Sequence, residues 1–217
     1  MLDPRALRLM IVTSGTVAPG HGHRTLAEAA VRGGASAVQL RAPELSDASL
    51  LELATDLAAV CRAGGVLFIV NDRPEIAIAS GADGVHLGQS DEPIDARKRL
   101  GPEKILGISV ADGLQAVAAS SAGADYLGVT VWSTPTKPEA RGEGPSGIRA
   151  VRAAVAIPVV GIGGINRDNL AEVFDAGASG IAVISAVAGA LDPEAATQDL
   201  RTLIDLREKG TGGTTNR

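Results

Sequence analysis

The stretch from Leu67 to Pro93, LFIVNDRPEIAIASGADGVHLGQSDEP, decides the fold because it contains two short apolar runs, each followed by a carboxylate. The first run begins at Leu67 and stops at Asn71-Asp72. The second run covers Gly84 to Leu87 and stops shortly before Asp91. Continuous apolar runs of this length, bounded by polar residues, are typical of strands buried on both faces.

The residues between the two runs predict a helix that joins them. Glu75 to Ala79 has room for about two helical turns, and Ser80-Gly81 is a typical stop signal. A right-handed crossover brings the second strand back parallel to the first, so both carboxyl ends open on one side of the sheet. Asp72 and Asp91 are therefore expected to face one pocket, where two carboxylates suit Mg²⁺.

The composition favours one domain with a large apolar core. Of the 217 residues, 45% are hydrophobic and 2% aromatic, and 27 are glycine, as expected where buried strands alternate with closely packed helices. The formal net charge is -5, and the chain lacks a basic run interleaved with aromatics, so nucleic acid is not an expected partner. Cys61 is expected to be a small core residue. No run approaches the roughly 18 apolar residues of a membrane span, and a cytoplasmic protein is expected.

Strands and helices are predicted to alternate along the whole chain. The predicted strands are Leu9–Thr13, Ala37–Leu40, Leu67–Val70, Gly84–Leu87, Ile105–Ser109, Tyr126–Val131, Pro158–Ile162 and Gly180–Ser185. The predicted helices are Thr25–Gly33 with Thr25 as cap, Asp47–Arg62 capped by Ser46, Glu75–Ala79, Ile94–Leu100, Gly113–Ala122, Ile148–Val155, Asn166–Ala176 and Pro193–Glu208.

A weak internal repeat supports a barrel. Gly-Ala pairs at Gly34, Gly81, Gly123 and Gly177 precede strands at intervals of 42 to 54 residues, or two strand-helix units. This pattern favours a single (β/α)₈ TIM barrel over residues 1–208, with 209–217 as a disordered tail. The chemistry of such a barrel is expected at the carboxyl ends of its strands.

The residues at the predicted strand ends favour an anionic ligand. Arg41 and Lys137 are cations from distant loops, and the glycines of GIGGI (Gly161 to Ile165) and Ser185 offer backbone amides at predicted helix starts. The loops after strands seven and eight hold a phosphate in many barrels. We therefore expect phosphate to bind there.

Plainer roles stay open for the same residues. Asp72 and Asp91 could each cap the helix that follows, and Arg41 could form an interstrand ion pair. His86 is expected to be a packed core histidine rather than a base, and His21 and His23 to be solvated. Trp132 could line an apolar pocket or fill the barrel mouth.

Eight motifs follow one another from the second predicted strand to the eighth. They are QLR (Gln39–Arg41), FIVNDR (Phe68–Arg73), GVHLGQSD (Gly84–Asp91), GIS (Gly107–Ser109), GADYLG (Gly123–Gly128), TPTK (Thr134–Lys137), PVVGIGGI (Pro158–Ile165) and GIAVIS (Gly180–Ser185). Together they resemble the thiamine-phosphate synthase family.

The resemblance implies a transferase that joins hydroxymethylpyrimidine diphosphate to hydroxyethylthiazole phosphate and releases pyrophosphate. It implies small-molecule substrates and a Mg²⁺ ion on Asp72 and Asp91. It also implies catalytic roles for Arg41, Ser109 and Lys137. The substrate-binding positions that it implies are Gln39, Arg41, Asn71, Ser109 and Lys137 around the pyrimidine and its diphosphate, and Thr134, Thr136, Gly164, Ile184 and Ser185 around the thiazole phosphate. Leu40, Ala42, Pro43 and Pro135 are further substrate-binding positions, with no one substrate assigned to them.

The chain departs from the family pattern at two places. Pro43 stands where the family has a lysine, which removes one diphosphate contact, and Thr130-Val131 replaces a Gly-Pro. Three rival functions therefore stay open: a thiazole tautomerase-like isomerase, another phosphate-binding isomerase barrel, and a barrel that binds thiamine precursors or a partner without catalysis. The sequence does not determine the oligomeric state.

Overall fold

The computed structural model describes residues 2–14, 21–88, 93–133 and 142–211. Within these residues the strands are β1 Leu9–Thr13, β2 Ala37–Leu40, β3 Leu67–Asn71, β4 Gly84–Leu87, β5 Ile105–Val110, β6 Tyr126–Thr130, β7 Val159–Ile162 and β8 Gly180–Val183. Each strand pairs in parallel with the next, and β8 pairs with β1, which closes the barrel. The single (β/α)₈ barrel predicted from the sequence is confirmed.

The helices that the structure describes form a layer outside the strands. They are α1 His23–Arg32, α2 Asp47–Gly64, α3 Pro74–Ala79, α4 Pro93–Leu100, α5 Gly113–Ser121, α6 Pro145–Ala154, α7 Leu170–Asp175, α8 Ser185–Ala188 and α9 Pro193–Thr211, and a short 3-10 helix covers Pro4–Leu7. The short helix α8 was not predicted.

Strand alternation divides the core into two clusters. In β1, Leu9 and Ile11 belong to the large cluster between strands and helices, whereas Met10 and Val12 belong to a smaller cluster inside the barrel. Successive side chains of a strand point to opposite faces, so every second residue of each strand reaches the barrel interior. The residues that face inward near the carboxyl ends are therefore the ones that shape a site.

The predicted helix caps are partly confirmed. The Ser46 hydroxyl accepts a hydrogen bond from the amide of Ser49 at 3.3 Å, and Gly65 ends α2 with a φ of 68°. The prediction that Thr25 caps α1 is wrong, because α1 begins at His23. His23 is also not solvated as predicted, since its Nδ1 lies 2.8 Å from the Thr13 hydroxyl and its side chain is 11% exposed.

Helix α7 begins four residues later than predicted. Asn166 starts no helix because its amide donates to the Asn169 side chain at 2.9 Å and its own side chain accepts from the amide of Asp168 at 2.8 Å. Such side-chain bonds to the backbone compete with helix formation. The glycines Gly163 and Gly164 therefore lie in an irregular loop and not at a helix start.

The two ends of the last barrel unit also differ from the prediction. Strand β8 ends at Val183, and Ser185 begins α8 instead of ending the strand. Helix α9 continues to Thr211, beyond the predicted boundary at Glu208, and residues 212–217 lie outside the described residues.

The Gly-Ala repeat corresponds to a turn that recurs where helices lead into strands. Gly81 and Gly123 adopt φ values of 74° and 92°, which glycine tolerates. The aspartate two residues later, Asp83 or Asp125, then binds the preceding strand through both its amide and its carboxylate. Asp83 donates its amide to the carbonyl of Phe68 at 2.9 Å and accepts from the amide of Phe68 at 2.7 Å. These turns lie at the amino ends of the strands, opposite the predicted site.

Candidate functional site

A pocket opens at the carboxyl end of the barrel. It encloses about 980 Å³, including its open mouth, and its described walls come from the inward-facing residues and following loops of all the strands. Apolar residues such as Met10, Val12 and Val160 form part of the wall, and a few polar side chains project between them. A concave, mostly apolar site with a few convergent polar groups is typical of small-molecule binding.

The structure brings together seven of the predicted site residues in this pocket. They are Gln39, Arg41, Asn71, Ser109, Gly164, Ile184 and Ser185. The ends of three strands, β2, β3 and β5, supply the polar side chains, and the loops after β7 and β8 supply Gly164, Ile184 and Ser185. The residues that the resemblance assigns to two different substrates therefore line the same cavity.

Four other predicted residues lie outside the described pocket wall. Leu40 and Ala42 are buried in the cluster between the barrel and its helices, and Pro43 is exposed. Asp72, the described member of the predicted metal pair, directly follows β3 and is not part of the described pocket wall. The other predicted site residues lie outside the described residues; they are Asp91, Thr134, Pro135, Thr136 and Lys137.

Arg41 places a half-buried cation in the pocket wall. Among residues 2–14, 21–88, 93–133 and 142–211, its guanidinium forms no ion pair. The interstrand ion pair that the sequence allowed is not found among these residues. The guanidinium is thus available to an anionic ligand, for which it is well suited.

His86 lines the pocket, and the sequence analysis did not place it there. Its Nε2 lies 2.9 Å from the Ser109 hydroxyl and its Nδ1 lies 3.0 Å from the Tyr126 hydroxyl. Strand alternation could have found it: Val85 and Leu87 face the helices, so His86 between them faces the barrel interior. The same alternation places Tyr126 in the interior cluster.

Trp132 shapes the rim beside the glycines of the β7 loop. A Cβ on Gly163 would lie 2.6 Å from the Trp132 carbonyl oxygen, and a Cβ on Gly164 would lie 3.1 Å from the Trp132 Cβ. Trp132 also packs against the main core cluster. These contacts agree with the role of a mouth-filling residue.

Cys61 behaves as the core residue that the sequence predicts. It is fully buried on α2, and burial raises the pKa of its thiol to about 12. A thiol that stays protonated is a poor nucleophile and a poor metal ligand.

Comparison with known proteins assigns the family. The family model described as thiamine monophosphate synthase matches residues 9–187. The chain is 47% identical over 201 residues to a thiamine-phosphate synthase of Methanoregula boonei, covering 91% of this chain and 93% of the relative. It is 49% identical over 199 residues to one of Moorella thermoacetica, covering 90% and 95%.

A solved structure, a thiamine phosphate pyrophosphorylase from Pyrococcus furiosus, agrees with these sequence matches. It superposes with a TM-score of 0.85 at 40% identity and covers 94% of this chain and 98% of that chain. The chain belongs to the thiamine monophosphate synthase family. Its function is that of a thiamine-phosphate synthase, a transferase of thiamine biosynthesis.

In this thiamine monophosphate synthase family member, Asp72 occupies an unusual backbone conformation. Its φ is 60°, and it is the one described residue other than glycine with a positive φ. Its amide donates to the carbonyl of His86 at 2.9 Å, which ties the end of β3 to β4. Aspartate tolerates this conformation better than most residues, and strain of this kind clusters at functional sites.

Asp72 does not occupy the N-cap position that the sequence left open to it. Arg73 stands at that position of α3, with no side-chain capping bond, and Asp72 precedes it. Asp72 is exposed and directly follows Asn71 of the pocket wall. An exposed carboxylate at a strand end fits Mg²⁺, which takes one or two carboxylates and leaves its other positions to water and substrate phosphate.

The described residues contain no group of three or more potential metal ligands that could form a closed metal cage. None of the helices in the described ranges combines the length and the apolarity needed to cross a bilayer.

Proposed function

We propose that the chain condenses 4-amino-5-hydroxymethyl-2-methylpyrimidine diphosphate with hydroxyethylthiazole phosphate to give thiamine phosphate and pyrophosphate, and that it requires Mg²⁺. One observation carries the proposal. The pocket of a chain in this family collects a cation that forms no ion pair with the described residues, two amide side chains, a hydroxyl, and the loops after β7 and β8.

Gln39, Asn71 and Arg41 would hold the pyrimidine diphosphate. Gln39 and Asn71 carry amides that can donate to and accept from an aminopyrimidine. Gln39 is 4% exposed, and its amide lies 3.4 Å from the Met10 sulfur, which holds the side chain in the wall. Arg41 would contact the diphosphate. Because the formal net charge of the chain is -5, this local cation is needed to attract an anionic substrate.

Asp72, together with Asp91 outside the described residues, would hold the Mg²⁺. When bound, the ion supplies a positive charge that offsets the charge of the diphosphate oxygens. This assignment depends on the exposed position of Asp72 at the end of β3 and on the donor chemistry of its carboxylate.

Gly164, Ile184 and Ser185 would receive the thiazole phosphate. Gly163 and Gly164 adopt φ values of 96° and 66°, so their backbone follows a path that side-chain-bearing residues rarely take. The loops after strands seven and eight are the usual phosphate site of the barrel fold.

The chemical step would break the bond between the pyrimidinylmethyl carbon and the diphosphate oxygen, and the thiazole nitrogen would attack that carbon. The electron pair of the broken bond leaves with pyrophosphate, whose charge grows as the bond breaks. Arg41, and Lys137 outside the described residues, would stabilise that growing charge more than the ground state. The step requires no general base.

The first experiment is to incubate the purified protein with both substrates and Mg²⁺ and to measure thiamine phosphate and pyrophosphate, with and without a chelator. Chelator-sensitive formation of both products supports the proposal. Bound thiazole phosphate without any product would instead favour the binding-only or isomerase alternatives.

Asp72→Asn tests the metal assignment. Asparagine keeps the shape and tolerates the positive φ, so the fold should survive while Mg²⁺-dependent turnover falls by about a hundredfold or more. Asp199→Asn removes one exposed carboxylate from α9 and serves as the matched control. Unchanged Mg²⁺ dependence in Asp72→Asn would count against the metal site.

The cytoplasmic location stays a prediction. Fractionation of cells that express the full chain would test it.

A further inference from the structure

Three side chains from neighbouring strands form a hydrogen-bonded chain that ends in the pocket. Tyr126 on β6 contacts His86 on β4, and His86 contacts Ser109 on β5. We propose that Tyr126 is a positioning residue that fixes the tautomer of His86, so that Ser109 presents its hydroxyl proton to the bound substrate. The substrate part of this inference rests on the proposed function.

The chain begins in the barrel interior. Tyr126 is 1% exposed, and its hydroxyl lies 3.0 Å from His86 Nδ1. The two rings lie 5.4 Å apart between centroids at an angle of 32°. His86 Nε2 lies 2.9 Å from the hydroxyl of Ser109, which lines the pocket. Both ring nitrogens of His86 are thus occupied by hydroxyl groups.

The direction of these bonds follows from the buried phenol. Burial raises the pKa of Tyr126 far above its usual range, so the hydroxyl keeps its proton. In the part of the chain that the structure describes, His86 Nδ1 is the acceptor within reach of that proton. A buried donor without an acceptor is costly, so Tyr126 donates and Nδ1 accepts.

The rest of the proton order follows. A neutral imidazole with an accepting Nδ1 carries its proton on Nε2. That N–H donates to the oxygen of Ser109, so the hydroxyl proton of Ser109 points away from His86. Ser109 then donates to a ligand in the pocket. The opposite order would leave the Tyr126 proton without a described acceptor.

Two glycines inside strands make room for this pair of rings. A Cβ on Gly107 would lie 2.2 Å from Tyr126 Cζ, and a Cβ on Gly128 would lie 2.9 Å from His86 Cε1. Neither glycine has a positive φ, so close approach of the rings and not backbone conformation explains them. Glycine weakens a strand interior, and its presence here indicates that the ring pair is a packed feature of the barrel.

The proton order decides whether Ser109 can donate to the substrate. A donating hydroxyl fits an unprotonated ring nitrogen of the pyrimidine, while the Ser109 oxygen keeps one lone pair beside the one that accepts from His86. With the proton of His86 on Nδ1, the Ser109 hydroxyl would instead donate to Nε2, and the ring nitrogen would lose this donor. The tautomer of His86 thus decides whether Ser109 donates to the pyrimidine.

The test is nitrogen NMR of the ligand-free protein labelled at histidine, at pH 8, where an ordinary imidazole is neutral. The chain has three histidines, and His86→Gln assigns the signals of His86. We expect a proton on Nε2 and none on Nδ1. A proton on Nδ1 would overturn the proposal.

Two variants identify which neighbour sets the tautomer. Ser109→Ala should keep the Nε2–H form, because Tyr126 still donates to Nδ1. Tyr126→Phe should populate the Nδ1–H form and raise KM for the pyrimidine diphosphate about tenfold, with a smaller change in kcat. An unchanged tautomer in Tyr126→Phe would overturn the role of Tyr126.

These measurements separate the inference from the proposed function. An Nε2–H tautomer that depends on Tyr126, in a protein that forms no thiamine phosphate, would sink the proposed reaction and leave the proton order standing. Product formation with an Nδ1–H tautomer would support the proposed reaction and overturn the proton order.

Discussion

At the scale of a single residue, Arg41 shows how a side chain that binds a ligand differs from one that stabilises the fold through an ion pair. Its guanidinium is half-buried in the pocket wall and forms no ion pair with another described residue. Holding a partly desolvated charge without a partner costs free energy, so the folded protein gains little from this side chain until an anion binds.

The variant Arg41→Gln tests this interpretation. The free energy of unfolding should change by less than about 0.5 kcal/mol, because none of the carboxylates that the structure describes loses its partner. KM for the pyrimidine diphosphate should rise at least tenfold, since a charge-assisted contact is lost. Urea unfolding and steady-state kinetics measure the two effects. A loss of more than about 2 kcal/mol in stability would instead indicate a structural ion pair.

Arg97→Gln is the matched control. Arg97 forms an ion pair with Asp125 at 2.6 Å and donates to the carbonyls of Gly101 and Lys104 at 2.7 Å. We expect Arg97→Gln to lower the free energy of unfolding and to leave KM for the pyrimidine diphosphate unchanged.

At the scale of an element, the sequence predicts strands better than it predicts the loops that follow them. Strands β1, β2 and β4 have the predicted bounds, because apolar runs that end at polar residues mark a buried parallel strand. The start of α7 could not be predicted in the same way. It depends on hydrogen bonds between the Asn169 side chain and the backbone of Asn166 and Gly164, which hydrophobic periodicity does not report.

The candidate site shows the same division. The strand-end rule placed Gln39, Arg41, Asn71 and Ser109 in one pocket. It missed His86, because a histidine inside an apolar strand was interpreted only as a buried residue, although strand alternation places it on the interior face. Its contacts with Ser109 and Tyr126 depend on three strands that are distant in sequence, so the sequence does not report them.

The loop after β7 supplies the prediction at this scale. Gly163→Ala should lower the free energy of unfolding by about 2 kcal/mol or more, for two reasons. A φ of 96° is unfavourable for alanine, and its Cβ would lie 2.6 Å from the Trp132 carbonyl oxygen. It should also raise KM for the thiazole phosphate, because Gly163 lines the pocket.

Gly101→Ala is the matched control, since Gly101 has a φ of 73° and nothing within 4 Å of the added Cβ. It measures the conformational cost alone, about 1 kcal/mol. Equal losses of stability in the two variants would show that the close approach to Trp132 adds nothing to the cost of the positive φ. Urea unfolding and kinetics with varied thiazole phosphate provide the measurements.

At the scale of the whole molecule, the two ends of the barrel have different roles: one end forms the pocket, and the other contains turns that stabilise the fold. The pocket residues lie at the carboxyl ends of the strands, whereas the Gly-Ala turns lie at the amino ends. At that opposite end, Asp83 and Asp125 bind the preceding strands, and the Ser179 hydroxyl accepts from the amide of Val159 at 3.4 Å. The repeat in the sequence therefore records a stabilising turn and not a binding motif.

This division predicts the outcome for Asp83→Ala. The amide of Phe68, a residue that is 1% exposed, would lose its carboxylate acceptor, so the free energy of unfolding should fall by about 1–2 kcal/mol. Asp83→Asn keeps an acceptor oxygen and should restore most of that loss. Because the turn lies at the end opposite the pocket, kcat and both KM values should stay within about twofold of the unmodified protein.

Ser36→Ala is the matched control at the same place in the repeat. The Ser36 hydroxyl is buried and has no hydrogen-bond partner among the described residues, so its removal should change the free energy of unfolding by less than about 0.5 kcal/mol or increase it. Urea unfolding of the three variants decides the point. If Asp83→Ala and Ser36→Ala lose equal stability, the carboxylate contact contributes nothing. If Asp83→Ala instead lowers kcat at full stability, the two ends of the barrel are coupled.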